Sequence, residues 1–350
     1  MAYLRNAWYV VGWSRDLVDR PIAITVMNEP LVVYRGTNGI HALEDRCPHR
    51  HLPLSMGEVE GDAIRCGYHG MAIGSDGACF NVPGQAGIPP RACIRSYPAT
   101  ERYGWVWTWM GEPALADEAL IPDFSKLVDP KYRAVGKTNH VHASYQLLID
   151  NLMDLSHAAF VHKSTIGTPG PSDTSTLKSH RTEYGVNVLR TVPNVPVPPT
   201  YVRSGVIPAH AIIDRWQVID YIAPAFVQIH VGGAVAGTGA LEGRYEHGFN
   251  MWVMNAATPE SEHVCHYFWA SVRAHALEDE AVDALLLGDV AEAFEEDKRV
   301  LEAQQIAILR HGDSWANALR DDTGSVESRR VLEQRINAEQ HSAAVLQNDP

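Results

Sequence analysis

Over about the first 110 residues, short apolar runs alternate with turn signals. Residues 22–26, 31–34 and 103–109 are such runs, and Asn38-Gly39 and Asp76-Gly77 punctuate them. This spacing predicts several short strands in a small antiparallel domain. Residues 110–122 (MGEPALADEALIP) break the rhythm and predict a boundary. Beyond it, 145–161 reads as a helix with few breakers. Residues 166–175 predict a loop, and 191–200 (TVPNVPVPPT) an extended, polyproline-like connection. Strands are predicted at 216–222, 226–231, 250–254 and 263–272. A long helix follows at 278–310, where Leu286, Val290, Phe294 and Leu301 form one apolar stripe. Residues 326–340 predict a last, charged helix. The predicted fold is α+β, with an N-terminal antiparallel β domain at 1–115. A second domain at 116–340 holds an antiparallel sheet surrounded by helices, and 341–350 is a loose tail.

Composition narrows the function. The 350 residues carry 29 basic and 42 acidic side chains, a formal charge of −13. A surface of that sign repels phosphate backbones, so no nucleic-acid partner is expected. No apolar run reaches the roughly 18–20 residues needed to cross a bilayer, so no membrane partner is expected either. The first residues, MAYLRNAWYVVGWSRD, lack the layout of a signal peptide, so the expected location is the cytoplasm. Five cysteines, an odd number, argue against a disulfide framework and for metal binding or buried thiols. The 17 histidines direct attention to metal-ligand spacing.

Two constellations carry chemistry. Cys47-Pro48-His49 is followed, 16 residues on, by Cys66-Gly67-Tyr68-His69. Two thiolates and two imidazoles suit zinc. Zinc pairs usually group like residues, however, whereas each loop here supplies one Cys and one His. The mixed arrangement suits a Rieske 2Fe-2S cluster, whose two imidazoles on one iron raise the reduction potential. Pro83-Gly84 is placed to close over the site. His51 reads as a polar loop residue, and Cys79, Cys93 and Cys265 as core thiols.

The second constellation lies in the 145–161 helix and just beyond it: Asn151, Asp154, His157 and His162. Asp154 and His157 share a helical face. His157 and His162 are five residues apart, about 140° around a regular helix, and need an irregularity to aim at one metal. Two histidines leave one carboxylate to complete a facial triad for mononuclear non-haem Fe(II). Asp289, Glu295, Glu296 and Asp297 are the candidates in the long helix, and spacing alone does not choose among them. A one-electron carrier beside an oxygen-activating iron is a coherent pair, since oxygen activation at Fe(II) takes electrons singly.

With both constellations in place, the sequence resembles a Rieske non-haem iron aromatic oxygenase, oxygenase (alpha) subunit. The likeness is closest to the vanillate O-demethylase and dicamba demethylase branch. The stretches DRCPHRHLPLS, RCGYHGM, ERYGWVWTW, LLIDNLMDLSHAAFVH, DRWQV, TPESEHVCHYFWA and FEEDK carry it over nearly the whole chain. The resemblance implies that Cys47, His49, Cys66 and His69 bind the 2Fe-2S cluster, and that His157, His162 and Asp297 bind the mononuclear iron. It implies that Asn151 sits near the iron. It further implies that Asp154 bridges His69 of one subunit to His157 of the next in a head-to-tail homotrimer, the two metals of one chain being too far apart for rapid transfer.

The implied reaction takes O2 and NAD(P)H electrons delivered by a separate flavin and iron–sulfur reductase. A methyl group bonded to oxygen on a small aromatic acid such as vanillate, a lignin-derived aromatic, is hydroxylated. The product collapses to a phenol and formaldehyde. Hydroxylation of a ring or methyl group on another aromatic acid or amine is the alternative. A non-catalytic Rieske electron carrier and a zinc-binding interaction protein are more distant ones. By position in the family pattern, Asn255 and Gly288 would face the substrate, where other members place a histidine and a tryptophan. Those departures weigh against a dicamba-like substrate. An acidic substrate needs a local cation, and Arg203, Arg215 and Arg244 are available.

Overall fold

In the computed structural model, residues 2–18, 20–167, 175–312 and 317–347 are described. The chain divides into two compact units. One is Met1–Asp123 with Thr258–Glu262, and the other is Phe124–Ala257 with His263–Pro350. Short 3-10 turns at Pro113–Leu115, Glu118–Leu120 and Ser125–Leu127 carry the chain from the first into the second.

The first unit is built from three small sheets. In one, Trp8–Trp13 pairs antiparallel with Trp105–Trp109, which also pairs with Ala99–Arg102. Every residue of the two tryptophan-rich strands is buried, the behaviour of a continuous apolar run rather than an alternating one. The pairs Trp8–Trp109 and Trp13–Trp105 meet edge to face with ring centroids 5.6 Å apart, a favoured aromatic geometry. A second sheet takes Ile22–Val26, Glu29–Arg35, Ile40–Glu44 and Ser96–Tyr97 in that order. The third takes Glu58–Glu60, Ala63–Arg65, Ala72–Ile73 and Cys79–Asn81. Asn38-Gly39 and Asp76-Gly77 lie at turns between strands, as their sequence signals predict.

The second unit is organised on one seven-stranded sheet. Its spatial order is Arg133–Val141, Val264–Arg273, Phe249–Ser261, Phe226–Val235, Ile212–Ile222, Gly185–Pro196 and Thr176–Arg181. Among the described residues, five helices accompany it: α1 (Tyr145–Met153), α2 (Ala158–Val161), α3 (Pro199–Arg203), α4 (Glu280–His311) and α5 (Thr323–Gln347). The α+β class expected from the pattern is therefore the class observed. Leu286, Val290, Phe294 and Leu301 of α4 are all buried. No described helix is long and apolar enough to cross a membrane.

Four local expectations need correction. The 145–161 segment is not one helix: it breaks at Asp154, which is extended at φ −120° and ψ 101°. The Asp154 carboxylate accepts the Ser156 N–H at 2.8 Å and the Ser156 hydroxyl at 2.9 Å. This cap competes with helix continuation. Residues 191–196 belong to the strand Gly185–Pro196 rather than to a polyproline connection. A bulge between Val192 and Val195 accommodates the prolines, and Asn194, at φ 55°, donates its N–H to Asp214 Oδ1 at 3.0 Å. The last helix begins at Thr323 and continues to Gln347, so residues 341–347 are helical rather than loose. Cys93 is exposed, whereas Cys79 and Cys265 are buried. Ala92 and Ile94 point inward on either side of it, and alternation turns Cys93 out. The loop predicted at 166–175 lies largely outside the described residues.

Candidate metal centres

The first centre is made by two loops with the same hydrogen-bond frame. Cys47 N–H donates to Leu52 O at 2.9 Å, and His51 N–H donates back to Cys47 O at 2.9 Å. In the second loop, Cys66 N–H donates to Met71 O at 2.8 Å and Gly70 N–H to Cys66 O at 3.0 Å. Both loops need a left-handed residue at the fifth position, His51 at φ 61° and Gly70 at φ 70°. His51 is thus a turn former. A Cβ on Gly70 would also meet Pro83 at 3.0 Å, so the Pro83-Gly84 segment does come against the second loop.

These frames bring the four expected side chains together. Cys47 and Cys66 are buried in a core with Leu43, Leu54, Ile64 and Ile73, and their thiols interact directly. Burial pushes the Cys47 thiol up, while the amides of His49 and Arg50 directed at the sulfur oppose this. The His49 and His69 rings meet edge to face with centroids 4.6 Å apart, and both residues are exposed. Tyr68 lies against His69, with centroids 3.8 Å apart. Paired buried thiols backed by an apolar core, with paired imidazoles toward solvent, fit a binuclear cluster ligated by sulfur on one iron and nitrogen on the other.

The second centre lies in the other unit, where the break at Asp154 redirects the chain. A 3-10 turn, Leu155–His157, leads into α2, and His162 follows directly as its C-cap. The five-residue separation therefore never has to be spanned by a regular helix. Asp297 comes from α4. His157 Nε2 and His162 Nε2 lie 3.2 Å apart, and Asp297 Oδ1 lies 3.4 Å and 3.2 Å from them. Neighbouring ligands of an octahedral metal with bonds of about 2.1 Å are about 3 Å apart, so this near-equilateral triangle fits one face of such a site.

The surroundings orient these atoms. His157 Nδ1 bonds the Asp154 carbonyl at 2.5 Å, and His162 Nδ1 bonds Glu296 Oε2 at 2.9 Å. Each bond leaves Nε2 facing the triangle. Burial works against charge on His162, but its bonds to Asp297 and Glu296 outweigh this and raise it above the ordinary imidazole value. Burial likewise opposes ionisation of Asp297, yet the two histidines hold it well below the usual carboxylate range. Asn151 donates from Nδ2 to Asp297 Oδ1 at 3.0 Å, while its buried Oδ1 has no hydrogen-bond partner among the described residues.

The other carboxylates offered by α4 are engaged elsewhere. Asp289 accepts from Thr200 and Arg203, Glu295 accepts from Asn139, and Glu296 supports His162. A signal for Asp297 was present in the sequence: it continues the apolar stripe, three residues after Phe294 and four before Leu301. A charged residue on a buried stripe marks a functional position.

A cavity opens beside the triangle, with about 620 Å³ of space not filled by atoms, part of it open to solvent. Leu152, Leu155 and Phe294 contribute from the helices, and Ile229, Val231, Met251 and Val253 from the sheet. Neither Asn255 nor Gly288 lines it. Asn255 is buried with its amide consumed, donating to Val227 O and Val253 O and accepting from Tyr267. Gly288 is exposed, and a Cβ there meets nothing within 4 Å. Among the polar cavity residues, Tyr201 and Gln217 were missed from the sequence, as were the apolar ones from the sheet. Of the three arginines named as candidate cations, Arg203 is paired with Asp289 and Arg244 is exposed; Arg215 lines the cavity.

The Rieske [2Fe-2S] domain profile matches residues 7–98, and the vanillate O-demethylase oxygenase C-terminal domain profile matches 141–338. The vanillate O-demethylase oxygenase subunit of Pseudomonas sp. strain HR199 is 36% identical over 345 residues, 97% of this chain and 96% of that protein. The toluene-4-sulfonate monooxygenase system iron-sulfur subunit of Comamonas testosteroni is 35% identical, covering 98% of this chain and 99% of its own. Dicamba monooxygenase bound to dicamba superposes with a TM-score of 0.88 at 32% identity, over 97% of this chain and 100% of the other, and another of its structures holds non-haem iron. The chain belongs to the Rieske non-haem iron oxygenases, in the family of the vanillate and dicamba O-demethylase oxygenase components. It is a monooxygenase of that type, carrying a Rieske 2Fe-2S domain and a candidate iron site in a separate oxygenase domain. The zinc-protein and carrier readings fall away.

Proposed function

We propose that this chain is the oxygenase component of a cytoplasmic system that O-demethylates a methoxylated aromatic acid of the vanillate class. Cys47, His49, Cys66 and His69 hold the cluster, and His157, His162 and Asp297 hold Fe(II). When bound, the cluster supplies electrons singly and the iron supplies oxygen activation. The protein's own contribution is position. The break at Asp154 aims His157 and His162 at one point, Glu296 fixes the His162 tautomer, and Asn151 holds Asp297. The apolar floor of the cavity keeps water away and faces the aromatic ring. The observation that carries this reading is the near-equilateral triangle of His157, His162 and Asp297 on the wall of an apolar cavity.

Electrons come from a separate NAD(P)H-dependent reductase. The subunits form a homotrimer in which Asp154 spans from His157 to His69 of the neighbouring subunit. The Asp154 carbonyl bonds His157 Nδ1, which supports the His157 side of that link.

A second reading is hydroxylation of a carbon-bound methyl group, favoured by the relative named for toluene-4-sulfonate. Single-turnover assays separate the two. Chemically reduced enzyme is mixed with O2 and vanillate, other methoxybenzoates or toluate-like acids, and products are read by mass spectrometry. Formaldehyde with a matching phenol is the expected outcome. A benzylic alcohol or ring-hydroxylated acid without formaldehyde sinks the demethylase reading.

A further inference from the structure

We infer that Arg215, Gln217 and Tyr201 form an anion receptor on the sheet side of the cavity, restricting substrates to aromatic acids, carboxylates or sulfonates. The inference rests on reading this cavity as the substrate site. Arg215 and Gln217 are two residues apart on the strand Ile212–Ile222 and so share one sheet face, and both line the cavity. Arg215 is only 5% exposed and Gln217 only 3%. The amide orientation of Gln217 follows from chemistry. Arg190, which has only donors, bonds one end of it at 2.7 Å, so that end is Oε1 and the NH2 group is left to the cavity. Tyr201 lines the same cavity and accepts from Arg215 Nη2 at 3.2 Å, leaving its own O–H to donate.

A guanidinium and an amide NH2 from the sheet and a hydroxyl proton from α3 thus line one cavity. The only carboxylate among the described lining residues is Asp297, in the candidate iron site. Donors on the sheet side and a candidate iron site in the same cavity would orient a flat acid with its anionic group toward Arg215. Such an enclosed cation gives charge-assisted bonds far stronger than an exposed lysine would in water.

The test is binding to the iron-loaded, anaerobic enzyme, followed by tryptophan fluorescence or calorimetry. Probes are vanillate and toluene-4-sulfonate, with methyl vanillate and vanillyl alcohol as neutral counterparts. Wild-type enzyme is expected to bind the acids roughly 10- to 100-fold more tightly than the neutral compounds. Arg215→Met should weaken binding of the acids far more than binding of methyl vanillate, collapsing the preference, and Arg215→Lys should restore part of it. Gln217→Leu should weaken acid binding about tenfold. Equal affinity of wild type for acid and ester overturns the receptor. So does failure to bind either acid, or loss of acid and ester binding together in a variant with unchanged melting temperature. If Arg215→Met does not fold, the wild-type comparison and Gln217→Leu decide. Because no turnover is needed, an enzyme that binds acids yet releases no formaldehyde keeps the receptor and loses the demethylase reading.

Discussion

The two metal centres are built on opposite plans. The cluster loops are local: each presents a Cys and a His within four residues, on a hairpin-like frame closed by two backbone hydrogen bonds. Their thiols are buried and their imidazoles exposed. The candidate iron triangle is assembled from afar. Asp297 lies 135 residues beyond His162 in the chain, on another helix, and both are buried. A local site depends on loop shape. An assembled site depends on the packing of the whole unit, and on the hydrogen bonds that hold each ligand against the others.

The largest effects should separate the centres cleanly. A full complement is about three irons per chain, two in the cluster and one mononuclear. Cys66→Ser should remove the reddish-brown cluster absorbance and leave about one iron. Asp297→Ala should leave the colour and about two irons while lowering turnover at least about a thousandfold. Iron analysis and visible spectra on the same samples check both. Cluster loss in Asp297→Ala would break the proposed independence.

A smaller effect tests support rather than ligation. Glu296→Gln keeps size and removes the charge bonded to His162 Nδ1. It should weaken iron binding at the triangle about 10- to 100-fold, measured by chelator competition, with no change in the cluster spectrum.

The smallest expected effect concerns packing of the assembled unit. Asp283, near the start of α4, bonds the buried Arg273 and the half-exposed Arg133. Burial disfavours its ionisation, but the two arginines hold its pKa below the ordinary carboxylate value. Its contribution is therefore complete above the unfolded value of about 3.9 and is lost as pH falls below it. Asp283→Asn should cost about 1 kcal/mol at neutral pH, since Asn keeps one acceptor oxygen and Arg273 keeps its carbonyl partners. The variant should also melt with a flatter acid limb below about pH 4. An identical acid limb in both proteins would remove Asp283 from this role.

The same contrast explains what could be read in advance. The Cys-x-His and Cys-x-x-His spacings were visible because the loops are local, and the α4 stripe because its period is helical. Family resemblance named Asp297, although the stripe itself already passed through that residue. The break at Asp154 was visible only as a need, because a five-residue His spacing demands an irregularity without locating it. Arg215 could not be separated from Arg203 and Arg244, because only tertiary packing turns one of the three inward and pairs Arg203 with Asp289. Asn255 misled because a strand position does not reveal that Tyr267 and two carbonyls already occupy its amide.

The cavity joins two structures with different tolerance for change. One side carries the histidines and Asp297 on helices and turns whose geometry is interlocked. The other is the seven-stranded sheet, where alternate residues such as Gln217, Ile229, Val231, Met251 and Val253 project from a backbone that is fully paired in this region. Side chains there can be exchanged without altering a strand's register. Lineages diverging from this scaffold can therefore acquire new diets by editing the floor, inheriting the reactive apparatus intact.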